Sequence, residues 1–389
     1  MRDEVLGVEP KDWDIATSAR PEAVMALFPR CVPVGISFGV VRVLHGGFEF
    51  EVATFRADGD YDDHRRPSSV RWASAREDVL RRDFTINGLL GDPFAPDHER
   101  VVDFVGGLED LKDGLIRAIG DPRARFDEDY LRMIRAVRFA ARFGFAIHPD
   151  TMAAIAAMSS RVVDVSAERI GQELDRLLSE GGQPVGLTLL AKSGLLPHLL
   201  PELGDALTTG ALGPAAMSED ELPSWLGRAV TRLGAVGRCE VALGWALLLW
   251  ERPELVDALG RRLRMSRSRT QAIAEIVAAG HSLVDWARLP THVRKRTLRL
   301  PTAALAIAAT HHSGATDQAQ AAREALERWP ETELAPAPLI NGKDLAALGH
   351  RPGPGFAKAL LAVEDAQLDG LLADREAALA LAAKVLSAG

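Results

Sequence analysis

The sequence predicts an α+β protein, with a mixed-sheet head at the N-terminus and an all-helical remainder. Three observations carry this reading. Val32 to Val43 is rich in β-branched and apolar residues, His45-Gly46-Gly47 supplies a turn, and Phe48, Phe50 and Val52 then alternate, which is the pattern of a β-hairpin. From about Asp121 the apolar spacing turns helical and stays so to the C-terminus. That helical part is rich in Ala and Leu and is broken near Pro201, Pro223, Pro290, Pro336 and Pro352 to Pro354, with no fixed repeat period.

In chain order, Lys11-Asp12-Trp13-Asp14-Ile15-Ala16-Thr17 reads as a strand. Alternation places Asp12 and Asp14 on one face and turns Trp13 the other way, into the core. Two carboxylates so placed suit Mg²⁺, which prefers hard oxygen ligands, although an isolated Asp-x-Asp is more often a solvated turn. Glu49 and Glu51 share one face of the hairpin, and an exposed sheet face accounts for both. The stretches Asp58-Gly59-Asp60 and Arg65-Arg66-Pro67 read as a polar loop.

Arg81-Arg82-Asp83-Phe84-Thr85-Ile86-Asn87-Gly88-Leu89-Leu90 combines guanidinium forks suited to phosphate oxygens with a carboxylate suited to a hydroxyl, anchored by Phe84 and Ile86. Standing alone, a salt bridge at a helix start would explain the same residues. Further on, Asp127 as N-cap and Gly144 as the residue past the C-terminus bracket one helix. On it Glu128, Asp129 and Arg132 fall at i, i+1 and i+4, with Arg135 one turn further. The plain reading is a Glu–Arg pair worth ~0.2–0.5 kcal/mol.

Bulk properties set limits. The 389 residues allow two or three domains, and 47% hydrophobic with 26% charged residues is an ordinary soluble composition. Two cysteines, Cys31 and Cys239, make neither a disulfide framework nor a zinc site, and a reducing cytoplasm fits. No apolar run reaches the roughly 18 residues of a membrane helix and no signal peptide opens the chain, so no membrane association is expected. The net charge of −8 argues only mildly against a nucleic-acid partner, because binding depends on where basic side chains cluster. Such a cluster exists: Arg261 to Arg299 holds ten Lys or Arg residues against Glu275 and Asp285 alone. A phosphate backbone and a solvated basic face explain it equally. His311-His312 reads as part of a polar loop. No protein partner can be inferred.

The three quoted motifs, in this order, resemble the class II tRNA nucleotidyltransferase and bacterial poly(A) polymerase superfamily. The resemblance implies a polymerase-β-like nucleotidyltransferase head at residues 1–117, a helical neck at 118–180 that recognises the nucleotide base and RNA, and a helical body and tail at 181–389 that bind tRNA. It implies that Asp12 and Asp14 are the catalytic, Mg²⁺-binding carboxylates. Arg2, Arg82, Asp83 and Asn87 would hold the ribose and triphosphate. Asp129 and Arg132 would read the base, Glu128 would orient Arg132, and Arg135 and Arg138 would be available to phosphate or RNA.

The implied reaction is template-independent addition of C, C and A to the 3′ end of tRNA from CTP and ATP, with release of pyrophosphate. Poly(A) addition and A-only addition are the alternatives within this chemistry, and a non-catalytic RNA-binding relic is the alternative outside it. Val34-Gly35-Ile36-Ser37-Phe38-Gly39-Val40-Val41 lacks the Gly-basic-basic-Phe stretch associated with the polymerases, which favours tRNA. Retention of the loop at Arg56-Asp58-Gly59 disfavours CC-only addition. Met1-Arg2-Asp3-Glu4-Val5-Leu6-Gly7 matches the second half of the family's Gly-Gly-x-Val-Arg-Asp motif, so a misassigned start codon or a shortened protein is expected. Asn341-Gly342-Lys343-Asp344-Leu345 and Pro352-Gly353-Pro354-Gly355-Phe356 are similar to the family's C-terminal region.

Overall fold

The computed structural model describes residues 1–10, 13–59, 69–96, 100–203, 224–347 and 349–387. Asp12 and the predicted loop residues Asp60 and Arg65 to Pro67 lie outside the described residues, as does Pro223. The chain divides into two compact units, Met1–Gly227 and Arg228–Gly389.

The first unit opens with a helical turn, α1 (Arg2–Val5), followed by β1 (Asp14–Thr17), α2 (Pro21–Leu27), β2 (Cys31–Gly35), β3 (Val40–His45) and β4 (Phe48–Thr54). These strands form one sheet in the order β1-β4-β3-β2, with β1 parallel to β4 and the other pairs antiparallel. The expected hairpin is β3–β4, closed at Gly46-Gly47. The run from Val32 to Val43, however, is two strands. A 3₁₀ turn at Ile36–Phe38 separates them, and Gly39 leaves it at φ +79°, a conformation that a side chain would strain. On one face Val41, Val43 and Val52 pack against Val24 of α2. Trp13 does not enter this core. It is 47% exposed and precedes β1, which begins at Asp14, while α2 covers the valines.

The unit continues through β5 (Arg56–Asp58), β6 (Val70–Trp72), α3 (Ala75–Leu80), β7 (Leu90–Gly91), β8 (Val101–Val102), α4 (Gly107–Asp113) and β9 (Leu115–Ile116). It is completed by α5 (Pro122–Glu128), α6 (Leu131–Phe143), β10 (Ala146–Ile147), α7 (Pro149–Met158), α8 (Ala167–Ser179), α9 (Gln183–Lys192) and α10 (Leu196–Leu199). The single helix expected from Asp127 to Gly144 is therefore two. Asp121 caps α5, and Asp129 breaks the helix with φ −157° and ψ 102°. Gly144 does close α6, at φ 69°. Met133, Ile134, Ala136, Val137 and Ala140 of α6 are fully buried, and the helix packs on α8 and α9.

The second unit is helical: α11 (Ser224–Gly234, entered from the first unit), α12 (Val241–Leu248), α13 (Val256–Arg262), α14 (Arg267–Leu283), α15 (Thr291–Leu298), α16 (Ala303–His312), α17 (Thr316–Arg328), α18 (Glu331–Leu334), α19 (Gly342–Ala347), α20 (Pro354–Leu368) and α21 (Arg375–Ser387). One core gathers Leu283, Trp286, Leu298, Ala306 and Ile307, and a smaller one gathers Leu345, Phe356, Ala359, Val363 and Ala378. His311 and His312 form the last turn of α16 rather than a loop, ring against ring at 5.0 Å. Asn341 and Asp344 cap α19 reciprocally: Asn341 Oδ1 accepts from the Lys343 N–H (2.9 Å), and Asp344 Oδ2 accepts from the Asn341 N–H (2.7 Å).

Candidate active site

The carboxylate face of the head sheet follows from register. Asp14 on β1 lies opposite Glu51 on β4, Glu51 opposite Arg42 on β3, and Arg42 opposite Val32 on β2. Facing residues project to the same side, so this row forms the face opposite to the one α2 covers. Asp14 is exposed and, among the described residues, its carboxylate has no hydrogen-bond or ion-pair partner. Glu51 and Glu49 each lie 3.7 Å from Arg42. Of the two glutamates, the register places Glu51 beside Asp14. In the sequence both share a face, and only the pairing of β1 with β4 separates them. Exposed carboxylate oxygens are donors that fit a hard divalent cation, which would complete its shell with water and phosphate. Among the described residues no group of three His, Cys, Asp or Glu side chains gathers to hold a metal.

The Arg81–Leu90 segment is anchored as its apolar residues require. Phe84 and Ile86 are completely buried, and Thr85 donates to Asp110 Oδ2 (2.6 Å), which Arg117 holds from the other side. Between the anchors lies Asp83, 8% exposed, with both oxygens fully engaged. Oδ1 accepts from the Phe84 N–H (2.8 Å) and Asn87 Nδ2 (2.9 Å), while Oδ2 accepts from Arg135 Nε (2.9 Å) and Nη2 (2.7 Å). Burial alone would raise this carboxyl; Arg135, Asn87 and the Phe84 amide outweigh it and hold the group below the ordinary carboxylate value. With four donors on four acceptor positions, Asp83 orients Asn87 and Arg135 and has no lone pair directed elsewhere.

Asn87 is where two guanidiniums converge. Its Oδ1 accepts from Arg2 Nη1, and its backbone carbonyl accepts from Arg82 Nη1 (3.0 Å). Arg82 is braced by Asp78 (3.0 Å) and Arg2 by Asp3 (2.7 Å). Arg2 also lies over the rings of Phe139 and Phe143, at 5.3 and 4.8 Å. Burial lowers its pKa, partly offset by Asp3, yet an arginine so shifted still carries its charge.

Glu128, Asp129 and Arg132 come together across the break between α5 and α6. Glu128 Oε2 accepts from Arg132 Nη1 and from Arg125 Nη1 (2.8 Å). Arg132 also donates to the carbonyls of Arg125 (2.9 Å) and Arg81 (3.2 Å). Asp129 Oδ1 accepts from the Leu131 N–H (3.1 Å), and both its oxygens accept from Arg169 on α8 (3.1 and 2.7 Å). Arg169 is a residue that the sequence pattern does not mark, since it lies 40 positions away. Among the described residues, one acceptor position therefore stays open on Asp129 Oδ2, and two N–H groups stay open on Arg132, at Nε and Nη2. Beside this cluster a cavity of about 690 Å³ is lined by Asp58, Glu77, Arg81, Arg125, Asp127 and Glu128.

Two expectations about basic residues change. Arg138 is not available to phosphate: it is 3% exposed and bound to Glu173 (2.6 Å) and Glu180 (3.2 Å). In the basic stretch, Arg296 and Arg299 pair with Glu364 at 2.8 Å each, and Lys295 pairs with Glu333 at 3.7 Å. Arg294 lies over the Trp286 ring at 5.0 Å. Lys295, Arg296 and Arg299 are thus paired within their own unit, and Arg261, Arg264, Arg267, Arg288 and Arg299 are exposed.

Comparison with known proteins shows which family the chain resembles along its length. Residues 1–117 match the Poly A polymerase head domain, and residues 144–207 match the family described as probable RNA and SrmB-binding site of polymerase A. The chain is 33% identical to the CCA-adding enzyme of Limosilactobacillus fermentum over 100% of this chain and 92% of that one. It is 45% identical to the CCA-adding enzyme of Geobacillus thermodenitrificans over a shorter match, covering 54% of this chain and 52%, about half, of that enzyme's length. Among solved structures, the CCA-adding enzyme of Bacillus stearothermophilus in complex with CTP superposes with a TM-score of 0.74 at 29% identity, covering 98% of this chain and 90% of that one.

Proposed function

Because the chain belongs to the family of CCA-adding enzymes, we propose that it adds C, C and A to the 3′ end of tRNA from CTP and ATP, releasing pyrophosphate, in the cytoplasm. The observation that carries this reading is the set of hydrogen-bonding positions left open on Asp129 and Arg132. On their pairing edges cytosine and adenine both present an exocyclic amine beside an unprotonated ring nitrogen. The amine donates to Asp129 Oδ2, and the ring nitrogen accepts from Arg132. Uracil and guanine present a carbonyl beside an N–H, which sets acceptor against acceptor and donor against donor. A site built this way rejects the wrong partner strongly, because its own polar groups are left unpaired. Selection therefore needs no nucleic-acid template.

Glu128 braces Arg132, and Arg169 braces Asp129. Arg2 and Arg82, converging on Asn87, supply the positive charge for the triphosphate, and Arg135 is held beside them by Asp83. Asp14, with Asp12 two residues before it and Glu51 in register, supplies oxygen ligands for a divalent cation, which we assign as Mg²⁺. Such a cation, when bound, stabilises the charge that develops on the reacting phosphate. The 3′-hydroxyl oxygen of the RNA bonds to the α-phosphorus as the bond to the bridging oxygen breaks, and pyrophosphate departs. To residues 1–117 we assign catalysis, to 118–180 base reading and to 181–389 tRNA binding.

The test is a tRNA transcript lacking its last three nucleotides, incubated with the protein, CTP and ATP, and sequenced at its 3′ ends. The expected product ends in CCA and grows no further. A run of A residues, A added only to RNA already ending in CC, or no extension would overturn the proposal.

A further inference from the structure

We propose that Asp78 is a positioning residue for nucleotide binding. It divides the adjacent Arg81 and Arg82 between two tasks, locking Arg81 into the protein and aiming Arg82 at the triphosphate. The proposal rests on the reading of Arg82 as a triphosphate ligand, and adds to it the group that holds Arg82 in place.

The first observation is the carboxylate itself. Asp78 lies in the last turn of α3, and residues at i+3 and i+4 fall on the same side of a helix. Arg81 and Arg82 occupy those two positions at the helix end, so both guanidiniums reach one carboxylate. Asp78 is 3% exposed and accepts four hydrogen bonds. Oδ1 accepts from the Arg56 N–H (3.2 Å), Arg81 Nε (3.1 Å) and Arg81 Nη2 (2.7 Å), and Oδ2 accepts from Arg82 Nη2 (3.0 Å). Burial would raise this carboxyl; Arg81 and Arg82 outweigh it and hold the group below the ordinary carboxylate value.

The second observation is that the two arginines are engaged unequally. Arg81 Nε also donates to the Arg56 carbonyl (3.1 Å), and Arg81 Nη1 lies 3.6 Å from Asp58. The Arg56 peptide therefore donates to Asp78 and accepts from Arg81, which ties β5 to α3. Every nitrogen of Arg81 faces a protein partner. Arg82 makes two bonds only, from Nη2 to Asp78 and from Nη1 to the Asn87 carbonyl (3.0 Å). Of its five N–H groups, three stay open among the described residues, on Nε, Nη1 and Nη2. They form a fork suited to phosphate oxygens, held from behind at both terminal nitrogens.

The physical consequence is pre-organisation. A free arginine side chain loses its rotamer freedom when a ligand orders it, and one already fixed loses little. Asp78 thus favours triphosphate binding although its own charge is negative, because Arg81 neutralises that charge at 2.7 Å. Removing the carboxylate leaves more positive charge but a looser Arg82. Salt screens the first effect and leaves the second.

The test measures the affinity of CTP and of tripolyphosphate by isothermal titration in EDTA, at low and high salt. In Asp78→Asn both affinities should fall by about 10-fold, and the loss should persist at high salt. Arg82→Gln should lower them at least as much. The double variant should match Arg82→Gln alone, because Asp78 acts through Arg82. In nucleotide addition, the KM for CTP should rise in Asp78→Asn while the CTP-to-UTP ratio stays at the wild-type value; a general loosening of the unit would move both. Asp78→Glu keeps the charge but shifts the carboxylate by one methylene. It should also lower affinity, and it decides the matter if Asp78→Asn fails to fold. Glu251→Gln, which breaks a similar carboxylate cluster with Arg228 and Arg232 in the second unit, should change neither affinity. Unchanged or tighter binding in the Asp78 variants would overturn the inference, as would additive losses in the double variant or base discrimination lost alongside affinity. A loss in Arg82→Gln with none in Asp78→Asn overturns the inference alone. Wild-type affinity in Arg82→Gln overturns the reading of Arg82, and the inference with it.

Discussion

Replacing Asp83 by Asn should uncouple the Arg81–Leu90 segment from α6 and destabilise the first unit. The substitution keeps the shape but removes the charge and one acceptor oxygen, leaving the Arg135 fork facing an amide. Two charge-assisted hydrogen bonds are lost, each worth roughly 1.5–3 kcal/mol, but they share one partner and do not add fully. Arg135 keeps 28% of its side-chain surface in water, so solvent recovers part of the loss. The net cost should be about 2–4 kcal/mol, short of the full penalty for breaking a fully buried pair. For a unit of this size that corresponds to roughly 5–12 °C in melting temperature. Asp83 is held below its ordinary value in the folded protein. Its contribution is therefore fully present above the unfolded carboxylate pKa of about 3.9 and is lost as pH falls through the folded value. Thermal unfolding of wild type and variant across pH, with CTP affinity measured at neutral pH, checks this. The gap should be widest near neutrality and close under acid. A shift below about 1 °C with unchanged CTP affinity would refute the role of Asp83 as the organiser of Asn87 and Arg135.

Asp14→Asn and Glu51→Gln should each slow nucleotide addition by about 10²–10³-fold or more, with tRNA binding nearly intact, if they hold the proposed cation where charge develops during reaction. Single-turnover kinetics beside filter binding separates the two readouts, and near-normal rates would remove the residue from the site. Arg138→Met should lower stability by about 3–5 kcal/mol by leaving Glu173 without its closest partner. Its tRNA affinity, measured on the folded fraction, should equal wild type. A salt-dependent loss of affinity there would restore the phosphate role.

What the sequence made legible was what local pattern controls. The β3–β4 hairpin, the burial of Phe84 and Ile86 and the close of α6 at Gly144 each follow from alternation or from one residue's backbone preference. What it hid depends on partners distant in sequence. The residues around Asp129 are compatible with a continuous helix, and the observed break is fixed by Arg169 gripping Asp129 and by Tyr130 donating to Asp127 at 2.7 Å. Arg138 looks like one more surface arginine until Glu173, 35 positions on, is seen to bind it. Glu51 and Glu49 are equivalent in a strand pattern, and only the parallel pairing with β1 singles out Glu51. Trp13 lies just before β1, which begins only at Asp14, so the alternation expected of a longer strand does not place its ring.

If protein side chains choose the nucleotide, the ratio of CTP to UTP incorporation in single-turnover addition to tRNA reads that choice. Asp129→Ala and Arg132→Ala each delete one of the two complementary groups. In both variants the preference for CTP over UTP should collapse by at least about 10²-fold, with a smaller change in triphosphate affinity, since Arg2 and Arg82 are untouched. Wild-type discrimination in both variants would show that these side chains do not read the base and would leave Glu128, Asp129 and Arg132 as a structural junction between two helices.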